Sequence, residues 1–313
     1  MKLFPVIICT LFALPSFGQQ KSFPDSCHTL LWGVVNASGD TSYVFGTFHE
    51  FGNTYFDGYI PLRRKYDEAN CIAIESIPEG EPGKYKRPVE MEDWVKKLSK
   101  QDRRLIEHYL KRTKSAYTLK FLRNMPPASL AYYMESEMAE HICDTRREND
   151  VVGIDEYIMN GAISYSKKLF GLESPYDTFN VVNTMMGAKD NNDPNGFAKV
   201  KDIIINNDKY KDTIVAECWE AENYKNLDIS YRFSKSSVED DPHYDLYLDR
   251  RNNSWMPKVR SMIDSNKAFI AVGMKHLFYK KGLIMQLVNS GYTVFPVAMA
   301  KNAKPVKYTY RRR

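Results

Sequence analysis

The stretch TSYVFGTFHE (Thr41–Glu50) runs strand-forming residues straight into Gly46 and, three residues later, into His49. Far along the chain, FIAVGMKHL (Phe269–Leu277) has the same grammar: an apolar strand, Gly273, two residues, His276. Before the first copy, TLLWGVV (Thr29–Val35) is separated from it by NASGD (Asn36–Asp40), so the two strand-like runs read as a β-hairpin. After it, roughly Tyr59 to Asn70 has Leu62, Tyr66 and Ala69 at helical spacing, and CIAIE (Cys71–Glu75) is a buried-strand pattern. After the second copy come a helical GLIMQLVNS and a strand-like YTVFPV. Each half is therefore a βαβ unit, and the strands of such a unit run parallel with a right-handed crossover. The expected fold is α/β: a central mixed sheet built from two βαβ units carrying Gly-x-x-His turns, with a large, mostly helical insertion over approximately residues 85–250.

Within that insertion, Ser99 is a candidate N-cap for a helix whose stripe is Leu105, Ile106, Tyr109 and Leu110. MPPASLAYYMESEMAEHIC (Met125–Cys143) starts another helix with prolines at its entry. Residues 153–168 are amphipathic, LFGLES (Leu169–Ser174) looks like a strand returning to the sheet, and residues 210–224 are helical. DDPHYDLYLDRRNNSWMPKVRSMID reads as two closing helices. IPEGEPGKYKRP and GAKDNNDPNG are polar, Pro/Gly-rich loops.

The N-terminus has Lys2, the apolar run LFPVIICTLFALP and small residues at Ser16 and Gly18, the pattern of a secretory signal over residues 1–18 cut before Gln19. The run is too short and proline-broken to suit a spanning helix. The expectation is an exported protein, periplasmic or extracellular, with no stable membrane insertion after cleavage and a single domain over residues 19–313. In that compartment Cys27, Cys71, Cys143 and Cys218 allow disulfides, with three pairings open. Lys+Arg 44 against Asp+Glu 39, a net charge of +5, does not point to nucleic acid as a partner. Oligomeric state is not readable from these residues.

Ligands of a parallel sheet gather at the carboxyl ends of its strands, and His49, Glu75 and His276 all fall at or just past such ends. The glycines, Gly46 and Gly273, allow a left-handed turn or a close backbone approach. Two imidazoles and a carboxylate suit a divalent metal such as Mn, Co or Zn, with positions left open for water or substrate. His28, His108, His141 and His243 stand in polar or amphipathic settings and read as surface or capping residues. DRRNNSWMPKV (Asp249–Val259) reads on residue type alone as a charged helix start with Trp255 buried. A second reading has its guanidinium orient a substrate carboxylate or carbonyl.

Taken in order, LLWGVVNASGDTSYVFGTFHE, CIAIES, FGLES, RRNNSWMPKV and FIAVGMKHLFYKKGLIMQLVNSGYTVFPV resemble the TraB/GumN family. That family includes the pheromone-shutdown proteins and the TIKI metalloproteases, within the wider erythromycin-esterase/ChaN-like group. The resemblance implies an α/β core and a site of His49, His276 and Glu75, with Gly46 and Gly273 shaping the turns. It also marks Arg251 and Asn252 as an Arg-Asn pair with catalytic or substrate-holding roles, and Glu173 as a substrate-side residue. The function it implies is a metal-dependent hydrolase, TIKI-like, acting on a secreted peptide or protein. The alternative is a non-catalytic protein that sequesters a peptide or other secreted ligand in the same cleft.

Overall fold

The computed structural model describes residues 27–77, 93–113, 115, 118–123, 126–143, 152–185, 194–224 and 226–299. The signal segment, the arginine tail, most of both polar loops and the Cys143 side chain lie outside the described residues. Among the described residues six strands form one sheet: β1 (Leu31–Val35), β2 (Thr41–Thr47), β3 (Cys71–Ser76), β4 (Lys168–Glu173), β5 (Ala268–Gly273) and β6 (Thr293–Val297). Their order across the sheet is β4-β3-β5-β2-β1-β6.

The hairpin β1–β2 is antiparallel, with Val35 opposite Thr41. Its turn is held by Asn36, whose Oδ1 accepts the backbone N–H groups of Ser38 and Asp40. β2 and β5 are parallel, β5 and β3 are parallel, and β3 and β4 are parallel. The two βαβ units therefore interleave. β5 of the second unit lies between β2 and β3 of the first, and the hairpin lies between β5 and β6. Strands of each unit still run in one direction, but neither pair is adjacent. Four neighbouring parallel strands, β4, β3, β5 and β2, thus end along a single edge.

Burial follows this order. Ala268 to Val272 of β5 are fully buried, as are Cys71, Ile72 and Ala73 of β3. Central parallel strands are covered on both faces, so they read as unbroken apolar runs. A second apolar core belongs to the insertion and gathers Trp94, Ile106, Tyr109, Leu110, Leu122, Leu130 and Ile203. Phe48, in the turn after β2, packs against both cores. Ser99 caps its helix as expected, Oγ accepting from the N–H of Asp102.

One expectation changes. The closing segment forms one helical run and not two helices: a π-helix, Asp245–Arg250, passes directly into the α-helix Arg251–Ser265. A π turn inserts a residue per turn and rotates the helix beyond it, a device found often at functional sites. Here it stacks Tyr247 and Arg251 over one another on the inner face.

Cys27 and Cys71 are buried thiols, while Cys218 is disulfide-bonded. Burial, reinforced by Asp228, pushes the Cys27 thiol up to about 11. Burial also raises Cys71. Because the thiolate is the nucleophile, neither is expected to react with iodoacetamide at pH 8 in the native protein. Both should label in denaturant, which mass spectrometry of the two digests would show.

Candidate functional site

The edge at which β4, β3, β5 and β2 end carries, in the same spatial order, Glu173, Glu75, His276 and His49. Glu173 closes β4, Glu75 stands next to last in β3, and His276 sits in a 3₁₀ turn, Met274–Leu277, that comes after β5. His49 lies two residues past β2. A methyl group built on Gly273 would lie 3.1 Å from Glu75 Oε1, 3.3 Å from His49 Nε2 and 3.7 Å from His276 Cδ2. Three side chains from three strands thus converge on the bare face of one glycine. The feature is space and not a left-handed backbone: φ of Gly273 is −50°. Gly46 serves in the same way, facing Met274 and Leu277 beneath the second histidine.

Each histidine is held by its Nδ1. Asp155 Oδ2 accepts from His49 Nδ1 at 2.7 Å, and Asp155 Oδ1 accepts from Thr47 Oγ1. Asn252 donates through Nδ2 to the carbonyls of His276 and Lys281. That orientation turns its Oδ1 to His276 Nδ1 at 2.7 Å. A carboxylate, and an amide oxygen so oriented, only accept hydrogen bonds, so both rings carry hydrogen on Nδ1. Their Nε2 atoms are left to face the centre. Histidines tied through the outer nitrogen in this manner are the usual arrangement of metal ligands and of oriented bases.

The electrostatics of the two rings differ. Burial disfavours charge on His49, yet the neighbouring Asp155 carboxylate holds its pKa up to about 10. Burial takes His276 down to about 3, against the pull of Glu75 and with the help of Arg251, so that ring is neutral. Burial alone would raise Glu75. The Arg251 guanidinium reverses this and holds the carboxyl well below the usual carboxylate range.

Arg251 is the hub. Nη2 donates to Glu75 Oε2 at 2.6 Å and to Glu173 Oε1 at 2.7 Å. Nε lies 3.1 Å from Glu173 Oε2. Nη1 donates to His276 Nε2 at 3.0 Å. Only 5% of the Arg251 side chain and 6% of that of Glu173 are exposed. Tyr247 and Trp255 flank the guanidinium, and the Trp255 indole N–H donates to Glu173 Oε2. Trp255 is buried as its type suggests, but Arg251 and Asn252 are buried with it, and the segment is more than a charged helix start.

A family model described as the TraB/PrgY/gumN family matches residues 30–296. The chain belongs to this family. Neither the search of curated proteins nor that of solved structures returned a match. Within the TraB/PrgY/gumN match, the five resembling segments supply Gly46, His49, Glu75, Glu173, Arg251, Asn252, Gly273 and His276, all eight of them at one edge of the sheet. The remaining histidines, His28, His108, His141 and His243, are exposed.

Sequence reasoning missed Asp155. It sits in the first turn of the helix Ile154–Ser164, where an acidic residue is expected for the helix dipole alone. No pattern in GIDEY sets it apart. The chain brings it to His49 through a backbone link, Ile154 N–H donating to Phe51 O, and a bridge between Gly52 and Gly153. Tyr247 was missed too, because its position depends on the π turn. The insertion contributes from the other side: Tyr132 lies within electrostatic reach of Tyr247, Glu50 and Glu75. Lys275 bonds Tyr244 and Glu217, joining the His276 turn to the helix Asn207–Asn223.

Gly273→Ala tests the convergence. The added carbon meets side-chain atoms and not backbone, so the fold should survive with a thermal midpoint within roughly 3 °C of wild type. Glu75 and His49 must yield by tenths of an ångström, and a structure of the variant should show both displaced.

Proposed function

We propose that this TraB/PrgY/gumN member is an exported, metal-dependent hydrolase, a TIKI-like peptidase acting on a secreted peptide or protein. The observation that carries this reading is the meeting of His49 Nε2, Glu75 Oε1 and His276 at the bare face of Gly273, with both outer ring nitrogens tied down.

Two imidazoles and a carboxylate suit a divalent cation such as Mn, Co or Zn, and Gly273 leaves the space a Cβ would fill. Among the described residues, no three His, Cys, Asp or Glu side chains stand as a ready metal-holding group. The Arg251 guanidinium stands between Glu75, Glu173 and His276. Once bound through His49, His276 and Glu75, a divalent cation supplies Lewis acidity, polarising a carbonyl and acidifying water. Asp155 and Asn252 would keep the rings oriented. The amide of Asn252 is spent on His276 and Lys281, which supports a positioning role in place of the catalytic or substrate-holding one that the resemblance implies. Glu173 likewise holds Arg251 and Trp255, and its part is to anchor the guanidinium. Arg251 would become a donor to a substrate carbonyl or carboxylate only on giving up its contacts to Glu75 and His276. Glu75 serves as third ligand or general base.

Export is supported by the signal-like residues 1–18 and by the disulfide-bonded Cys218. Among the described residues no helix is long and apolar enough to cross a membrane.

The test is elemental analysis of the purified protein, then peptide cleavage with and without chelator. Cleavage should stop on chelation, return with Mn²⁺ or Co²⁺, and fall to background in His49→Ala/His276→Ala. Cleavage retained by that double variant removes the mechanism. Gly273→Ala should weaken metal binding by at least about tenfold, measured by calorimetry. The second reading, a cleft that sequesters a peptide without cutting it, is favoured by the hydrogen bond that already occupies His276 Nε2. Its signature is peptide binding that survives in the double histidine variant with no product formed.

A further inference from the structure

His276 has one nitrogen facing the site, and that nitrogen has one lone pair. With hydrogen fixed on Nδ1 by Asn252, the Nε2 pair accepts the N–H of Arg251 Nη1 at 3.0 Å. It cannot also be given to a cation. The same guanidinium takes Glu75 Oε2 through Nη2. Coordination by His276 and the present placement of Arg251 are therefore mutually exclusive.

Arg251 also has somewhere to go. Its Nε–Nη2 edge rests on both oxygens of Glu173, and the planes of Tyr247 and Trp255 flank it. Glu173 is held in turn by the Trp255 N–H and by Thr178 Oγ1. The contacts to His276 and Glu75 can be given up while the paired contact to Glu173 remains.

Resting on the metal-dependent reading of the site, we propose that Arg251 is a built-in cation that latches the empty site. Without metal it neutralises Glu75 and caps His276 Nε2. To open the site it withdraws onto Glu173, freeing both ligands. Glu173 is thus the seat of the open latch. Coordination competes with an intramolecular hydrogen bond, so the apparent metal affinity is lowered by the fraction of molecules in which the latch is open.

The experiment uses Co²⁺ alone, monitored by its visible absorption in stopped flow and by calorimetry. Wild type is compared with Arg251→Met/Glu173→Gln, which removes one charge of each sign and leaves net charge unchanged. The latch predicts that the double variant binds Co²⁺ at least about tenfold more tightly than wild type. It predicts that the wild-type association rate levels off as Co²⁺ is raised, because opening becomes limiting, while that of the variant rises linearly. Adding His276→Ala to the double variant should erase the gain. The wild-type plateau needs no variant, so the proposal remains testable if the double variant folds poorly. Linear wild-type kinetics with equal affinities overturn the latch and leave the metal reading standing. No Co²⁺ binding by wild type or variant overturns both.

Discussion

Arg251→Met is expected to lower the folding free energy by about 3–5 kcal/mol at pH 7, the usual cost of removing one partner from a buried ion pair. Two carboxylates depend on this one guanidinium: Glu75 and Glu173, each within 2.7 Å of Nη2. With a methionine in place, both charges stay buried among Tyr247, Trp255 and His276. A fall in thermal midpoint of roughly 10 °C is expected for a chain of this size. Removing Glu173 as well should restore part of the loss, since Arg251→Met/Glu173→Gln leaves one uncompensated carboxylate where the single variant leaves two. The two changes should therefore be non-additive. Lysine at 251 should fall between, because an ammonium cannot present two parallel N–H groups to Glu173.

The pH dependence has a definite sign. In wild type Glu75 titrates below its unfolded value, so the stability it contributes is present above the ordinary carboxylate range and is lost as pH falls through the depressed folded value. In Arg251→Met, burial acts without that opposition and the folded pKa of Glu75 moves upward. The variant is then destabilised most at neutral pH and relieved by acid. The stability gap between the two proteins should narrow as pH is lowered from 7 toward 4. Urea unfolding at several pH values reads this directly. A gap under 1 kcal/mol at pH 7, or one that widens in acid, would sink the account of Arg251 as the cation of a buried network.

Gly46→Ala should be the more damaging of the two site-glycine changes. A Cβ at this position would stand 2.9 Å from Met274 Cα and 2.8 Å from Leu277 Cδ1. Met274 Cα is backbone, part of the turn that carries His276, and Leu277 is fully buried. Neither can swing aside. The turn must lift off β2, and His276 moves with it, away from Asn252 and Arg251. Overpacking of this kind costs about 1–3 kcal/mol, and the proposed metal binding and peptide cleavage should disappear with it. Gly273→Ala meets only movable side-chain atoms, so the pair separates two effects. Gly46→Ala should lose stability and site together, whereas Gly273→Ala should lose the site and keep the fold. Equal stability of both variants would refute the packing role assigned to Gly46.

Much of the fold was legible because strand and helix patterns are local. The hairpin around Asn36–Asp40, the strand at Cys71, the returning strand at Lys168–Glu173 and the closing helix and strand all stand where the residues place them. What was not legible is the interleaving of the strands. Nothing in TSYVFGT or AFIAVG says that β5 inserts between β2 and β3, because strand order depends on long-range pairing. The π turn was hidden as well, since YDLYLDRR has ordinary helical composition. It is held by its neighbours in space: Lys275 on Tyr244 and Glu173 on Arg251.

The candidate site divides in the same way. Gly46, His49, Glu75, Gly273 and His276 could be singled out from sequence because a glycine, a histidine or a carboxylate at the end of an apolar strand is a local signal. By itself the sequence determined which strands exist, where they stop, and that histidines and an acid stand at three of those ends. Only the tertiary structure decided that these ends are neighbours, that Asp155 and Asn252 orient the two rings, and that Arg251 stands between Glu75, Glu173 and His276. The physical reason is range: backbone propensity and hydrophobic period act over a few residues. A hydrogen bond between Arg251 and His276, or between His49 and Asp155, exists only after the whole sheet has closed around it.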